Sequence, residues 1–169
     1  MARKTAGRKK AVGWKDSMRI KGFCRVGVYE YGPNGEPNYK LVSDSGFVPN
    51  QKTNVGFMNY LNYVLGASAG SLLVSSAAVG TGGPPASNAT ALTGESMVRR
   101  PTTYSAPAST QGQWIASWDS TLCTGSFTVG NAGLFNSSSG GSLAWGISTP
   151  GQTWNTNQSL ALTYLLNLS

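Results

Sequence analysis

The chain has no histidine, only two cysteines and only 11% charged residues in a length of 169. Each shortage removes a class of chemistry. Without histidine there is no Ser-His-Asp triad, no Cys-His pair and no imidazole metal ligand. Cys24 and Cys123 fall short of the four ligands of a structural zinc site. The 98 residues between them leave pairing open. Two buried thiols are the expected state, since free cysteine is among the most buried residue types. Acids number six in all. Glu30, Glu36 and Asp44 surround an expected hairpin, and only Glu95 and Asp119 follow them. No two carboxylates are therefore expected to meet as an acid–base or acid–nucleophile pair. Gly80-Thr81-Gly82-Gly83 has the look of a phosphate loop, but no Lys-Ser/Thr follows and Pro84-Pro85 stands where a helix would start. The expectation is a non-enzymatic protein with no catalytic residues, no metal and no cofactor.

Long apolar runs are missing too. The best candidate for a membrane span, Phe57–Val79, is interrupted by Asn59 and Asn62, and its second half is mainly Ala, Ser and Gly. A spanning helix is built mainly from Leu, Ile, Val and Phe. Ala11-Val12-Gly13-Trp14-Lys15 is not the apolar centre of a secretory signal. No membrane contact is expected.

What charge there is lies at one end. The net charge is +7, but residues 1–25 alone carry +8 and residues 26–169 carry −1. After Arg100 come 69 residues in which Asp119 is the only charged one. The chain divides into a basic arm, residues 1–19, and a nearly neutral body, residues 20–169. The arm has little apolar material and no core of its own. Arg3, Lys4, Arg8, Lys9, Lys10, Trp14, Lys15 and Arg19 are its candidate contact residues. They suit the phosphates of a nucleic acid, an acidic patch on a protein, or a solvated tail with no specific partner. Trp14 can stack on a base or fill a protein pocket.

The body reads as mainly β. Lys21–Tyr31 alternates, with Cys24, Val26 and Val28 on one face. Gly32-Pro33-Asn34-Gly35 is a turn, Tyr39–Val42 the return strand, and Pro49–Asn54 a loop. Asn54–Leu65 carries Phe57, Met58, Leu61, Val64 and Leu65 at helical spacing, with Thr53 or Asn54 as cap. Leu72–Val79 reads as a buried strand and residues 86–108 as mostly loop. Gln113–Trp118, Leu122–Val129, Ser142–Ile147 and Leu160–Leu168 complete about seven or eight strands, a β-sandwich or jelly roll with one short helix. Gly80, Gly82 and Gly133 are expected at structural turns.

A body so poor in charge is unusual for a free monomer, whose surface normally mixes both signs. Interfaces are depleted in Lys, Glu and Asp and enriched in aromatics. Four of the five tryptophans, Trp114, Trp118, Trp145 and Trp154, lie in the last 69 residues. They are the sequence's candidates for contacts between subunits, and a homo-oligomer is expected. The same tryptophans on a β-rich body also suit a small carbohydrate-binding module.

Val79-Gly80-Thr81-Gly82-Gly83-Pro84-Pro85, then Thr90-Ala91-Leu92, Glu95 and Arg99, resemble a block recurrent in bacteriophage virion structural proteins of the capsid-decoration, head-fibre and tail-fibre type. Ala132-Gly133-Leu134-Phe135-Asn136, followed by Gly140-Gly141, resembles a second block of that family. The resemblance covers about residues 21–168 and leaves the arm outside it. It implies a virion component assembled in the host cytoplasm, with other virion proteins as partners. A decoration or cement subunit, or a minor capsid subunit, is the leading expectation. A coat protein whose arm binds packaged nucleic acid and a tail or fibre subunit for host attachment are the alternatives. Two positions depart from the family pattern. Asn131 stands where an acid is frequent and Trp145 near a frequent arginine. Neutral packing in place of an ion pair would set these two on adjacent strands.

Overall fold

A computed structural model describes residues 19–54, 56 and 73–168. Eleven strands form two antiparallel sheets packed as a β-sandwich. The first sheet runs β2 (Lys40–Asp44), β1 (Ile20–Glu30), β11 (Gln158–Leu168), β8 (Gln111–Trp118), β7 (Thr103–Ser105), with β3 (Val48–Pro49) also on β1. The second runs β4 (Gln51–Lys52), β10 (Leu143–Trp154), β9 (Phe127–Phe135), β5 (Ser76–Gly80), β6 (Arg100–Pro101).

Alternation in sequence becomes the two faces of each sheet. In β1, Cys24, Val26 and Val28 are fully buried, while Phe23, Arg25 and Tyr29 on the other face are only half-buried. Opposite them on β11, Leu160, Leu162 and Tyr164 point the same way into the core. The second sheet answers with Ala77, Val79, Val129, Ala132, Leu134, Ile147 and Trp154. This shared apolar layer holds the sheets together. The β1–β2 hairpin forms as its turn dictates. Gly35 donates its N–H to the Gly32 carbonyl at 2.9 Å and sits at φ +80°, where a side chain would be strained.

Several expected boundaries move. Residues 48–52 and 100–105 are not plain loop. Each stretch pairs first with one sheet and then with the other, through β3 and β4 and through β6 and β7. Pairs of two or three residues are too short to show a period in sequence. The strand expected at Leu122–Val129 begins only at Phe127. Ser120–Leu122 is a 3-10 turn capped by Asp119, and the strand continues through Ala132-Gly133-Leu134-Phe135. β10 extends to Trp154 across an irregularity between Ser148 and Gln152, where Gly151 takes φ +77°. Of the expected helix, Asn54 and Gly56 are helical, and the buried Thr53 hydroxyl accepts the Gly56 N–H at 3.0 Å, as an N-cap does. Residues 57–65 lie outside the described residues.

Candidate subunit interface

Arg3, Lys4, Arg8, Lys9, Lys10, Trp14 and Lys15 lie outside the described residues; Arg19 is exposed just before β1. The tryptophans expected at an interface separate into two groups. Trp118 and Trp154 are fully buried and Trp145 is 4% exposed, so these three belong to the core and not to the surface of the folded subunit. Their ring area is worth most there, and each polar end finds a partner where it is needed. The Trp118 indole N–H donates to the Val98 carbonyl at 2.9 Å, and that of Trp154 to the Gln158 carbonyl at 2.6 Å. Trp114 is half-buried, tilted against Tyr104 with ring centroids 5.1 Å apart. The two line a groove of about 630 Å³, bordered by Gly56 and Leu73.

Gly80 and Gly133 are in strands and not at turns, whereas Gly82 stands in the bend after β5. Gly133 lies inside β9, paired with Ala78 and Gly146. A Cβ there would press on the side chain of Leu143 and stand 2.9 Å from the Trp145 carbonyl oxygen. At Gly80, the last residue of β5, a Cβ would meet the carbonyl oxygens of Thr93 and Gly94 at 3.0 Å, and one at Gly82 would strike Thr93. These glycines permit close approach of backbone. What approaches is the segment 81–95, which folds over the outer face of the second sheet. Its two limbs bond to each other through Thr81 N–H to Gly94 O and Gly82 N–H to Thr93 O. Leu92 packs beneath it on Ala78, Phe135 and Leu143 as a second apolar cluster.

Asn131 and Trp145 stand on adjacent strands, β9 and β10, but do not pack together. In register Asn131 faces Ser148 and Trp145 faces Leu134, three positions apart, so the two side chains leave opposite faces of the sheet. Asn131 is buried under the 81–95 segment and donates to the Gly83 and Thr93 carbonyls at 3.0 Å each. The ion pair of this region is Arg99–Glu95 at 2.6 Å. Arg99 also donates to the carbonyls of Ser137 and Gly140. Leu92, Glu95 and Arg99 of the first block and Gly133, Phe135 and Gly140 of the second thus meet at the covered face of the second sheet, while Val79, Ala132 and Leu134 face the core between the sheets.

The first sheet is different. Its outer face crosses β1, β11, β8 and β7 in rows: Phe23, Leu165, Gln113 and Ser105; then Arg25, Thr163, Ile115 and Thr103. All eight are half-buried or exposed. The only charge among them is Arg25, which is tied to Asp44 through 2.9 and 2.8 Å hydrogen bonds. That contact raises the Arg25 pKa and holds the Asp44 carboxyl below the usual carboxylate range. Among the described residues the centre of this face is open and its cation is paired, while Lys21, in the next row with Asn167 and Gln111, adds one exposed charge at the rim. At its edge, β2 and the turns beside it expose Tyr39, Leu41, Val42 and Phe47 by 65, 41, 40 and 50%. Ile115 and the β2 cluster were not among the candidates from sequence. For Ile115, opposite in parity to the buried Ala116 and Trp118, strand alternation was the available signal.

Both cysteines are free and buried. Burial pushes the Cys24 and Cys123 thiols up, Cys24 strongly. Among the described residues no three His, Cys, Asp or Glu side chains gather as metal ligands, and no helix is long and apolar enough to cross a membrane. Comparison of the chain with models of protein families and with curated proteins finds no match.

Proposed function

We propose that this chain is a non-enzymatic structural subunit of a bacteriophage virion, acting as a capsid decoration (cement) or minor capsid subunit. The body packs through the open face of the first sheet, and the basic arm is the tether. The difference between the two faces supports the reading most directly. One outer face is sealed by the protein's own 81–95 segment, while the other carries Ile115, Leu165, Phe23 and uncharged polar side chains in the open. Burying such a face desolvates little charge beyond the Arg25–Asp44 pair and Lys21 at its rim. A body held by its face and an arm held elsewhere reinforce each other through effective concentration.

Charged substitutions on the face test this. Ile115→Lys and Thr163→Glu sit where solvent already reaches, so the fold tolerates them within about 0.5 kcal/mol. Incorporation into particles falls at least tenfold in the double variant. Undiminished incorporation contradicts the proposed face. Loss of incorporation on nuclease treatment of particles favours a coat whose arm holds nucleic acid.

A further inference from the structure

Edge strands are normally short, charged or covered, because an open edge recruits other strands. β2 meets only part of this pattern: it is five residues long, Lys40 and Asp44 stand at its ends and its pairing with β1 is bulged, yet its apolar side chains are exposed. Of the nine large apolar residues most exposed in the described part, four fall between residues 39 and 47: Tyr39, Leu41, Val42 and Phe47. Among the described residues β2 ends its sheet, with β1 as its single strand neighbour. The charge around it is also distinctive. Glu30, Glu36 and Asp44 are three of the five acids in residues 19–168, and with Lys40 and Arg25 this edge sums to −1. Those two cations are already engaged, Lys40 with Glu30 at 3.4 Å and Arg25 with Asp44 at 2.8 Å. Among the described residues Glu36 accepts only local hydrogen bonds, from its own backbone N–H and from the backbone N–H and side-chain amide of Asn34.

The sequence holds one segment of matching character. Residues 1–18 carry six cations against Asp16, and their apolar residues cluster in Ala11-Val12-Gly13-Trp14. We propose that the β2 edge receives residues 1–18 of a second copy of this chain, with Val12 and Trp14 on the apolar strip and Lys9, Lys10 and Lys15 toward Glu30, Glu36 and Asp44. Backbone pairing along the open edge supplies affinity, as in strand addition. Direction and length argue for a second copy. The arm joins the body at Ile20, the end of β1 remote from the residues Gly27–Glu30 that pair with β2. Residues 14–21 contain no Gly, Pro or Asn, and Asp16-Ser17 is the one pair in them suited to a turn. Eighteen extended residues span roughly 60 Å, enough to cross to a neighbour. The inference rests on the reading of the chain as an assembly subunit, and it names what one subunit's arm holds.

The test uses the full-length chain. Equal amounts of unlabelled and 15N-labelled protein are unfolded together, refolded as one mixture so that both labels assemble at random, and treated with a carbodiimide, which joins a lysine amine to a carboxylate with loss of water. The expected products link Lys9, Lys10 or Lys15 to Glu30, Glu36 or Asp44, and about half carry mixed labels. Their yield falls at least fivefold in about 0.5 M salt, where the Debye length is only a few ångströms. It falls similarly in Val42→Lys, an exposed position whose melting temperature stays unchanged. Cross-links with no mixed labels place the arm on its own body and overturn the proposal. So does a yield indifferent to Val42→Lys, or arm lysines that link to none of these acids. Particle incorporation is measured in parallel. Normal incorporation without mixed cross-links sinks the arm site alone, and mixed cross-links from a chain missing from particles sink the virion reading alone.

Discussion

The guanidinium carbon of Arg99 lies 3.5 Å from the centre of the Phe135 ring. This one contact joins the two sequence blocks. Arg99 follows the segment that covers the second sheet, and Phe135 ends β9 beneath it. The same guanidinium pairs with Glu95 and donates to two carbonyls of the 137–140 turn. Its side chain is 8% exposed. Arg99→Ala removes all of these partners and leaves Glu95 without its cation. The expected loss is about 3 kcal/mol, in line with breaking a largely buried pair, or about 6–12 °C in melting temperature. Arg99→Lys recovers only part, because an ammonium cannot serve the carboxylate, the carbonyls and the ring together. Thermal unfolding of the three proteins checks the order.

A glycine pair separates backbone approach from glycine content. Gly133→Ala forces a methyl group against Leu143 and the Trp145 carbonyl, and costs about 1–3 kcal/mol. Gly83→Ala meets nothing within 4 Å at an ordinary φ and stays within about 0.5 kcal/mol of the parent. Denaturant unfolding of both variants reads the difference. Equal effects at the two positions would refute close packing at Gly133.

Acid should weaken the Arg25–Asp44 pair in a defined direction. The hydrogen bond from Arg25 is the main cause that lowers the Asp44 pKa in the folded state. Stability from this source is present above the carboxyl's unfolded pKa and is lost as pH falls through the lower folded value. Both side chains are about one-third exposed, so solvent screening limits the contribution to under about 1 kcal/mol. Asp44→Asn is therefore slightly less stable than the parent near neutral pH and converges with it in strong acid. A gap that widens toward low pH has the wrong sign.

Thiol reactivity checks the core. Cys24 is fully buried and its thiol is pushed well up, so it resists alkylation in the native protein. Cys123, also pushed up by burial, is expected to react slowly. Both react at once in denaturant, and neither needs a reductant first.

Strand alternation made β1, β8 and β11 legible, because each sets one face in the core and the other outside it, whereas the first half of β10 is buried on both faces. Trp114 and Trp118 share the inward side of β8 as their equal parity required. What sequence could not convey was the covering of the second sheet by residues 81–95. Both faces of β5 and most of β9 are buried in consequence, so alternation vanishes there. The same burial turned glycines that read as turns into points of close approach. Tryptophan misled for a related reason, since its large area serves a core and an interface equally well, and only the fold decides which. The surface left open is carried by ordinary residues, Ile115, Thr163 and Leu165, which no motif marks.

The most direct test of the account is a three-dimensional reconstruction of the assembled particle. The prediction is a chain present in tens of copies or more, with the Ile115–Thr163–Leu165 face seated against a neighbouring subunit. Purified particles that lack the chain, or hold it with that face open to solvent, contradict it.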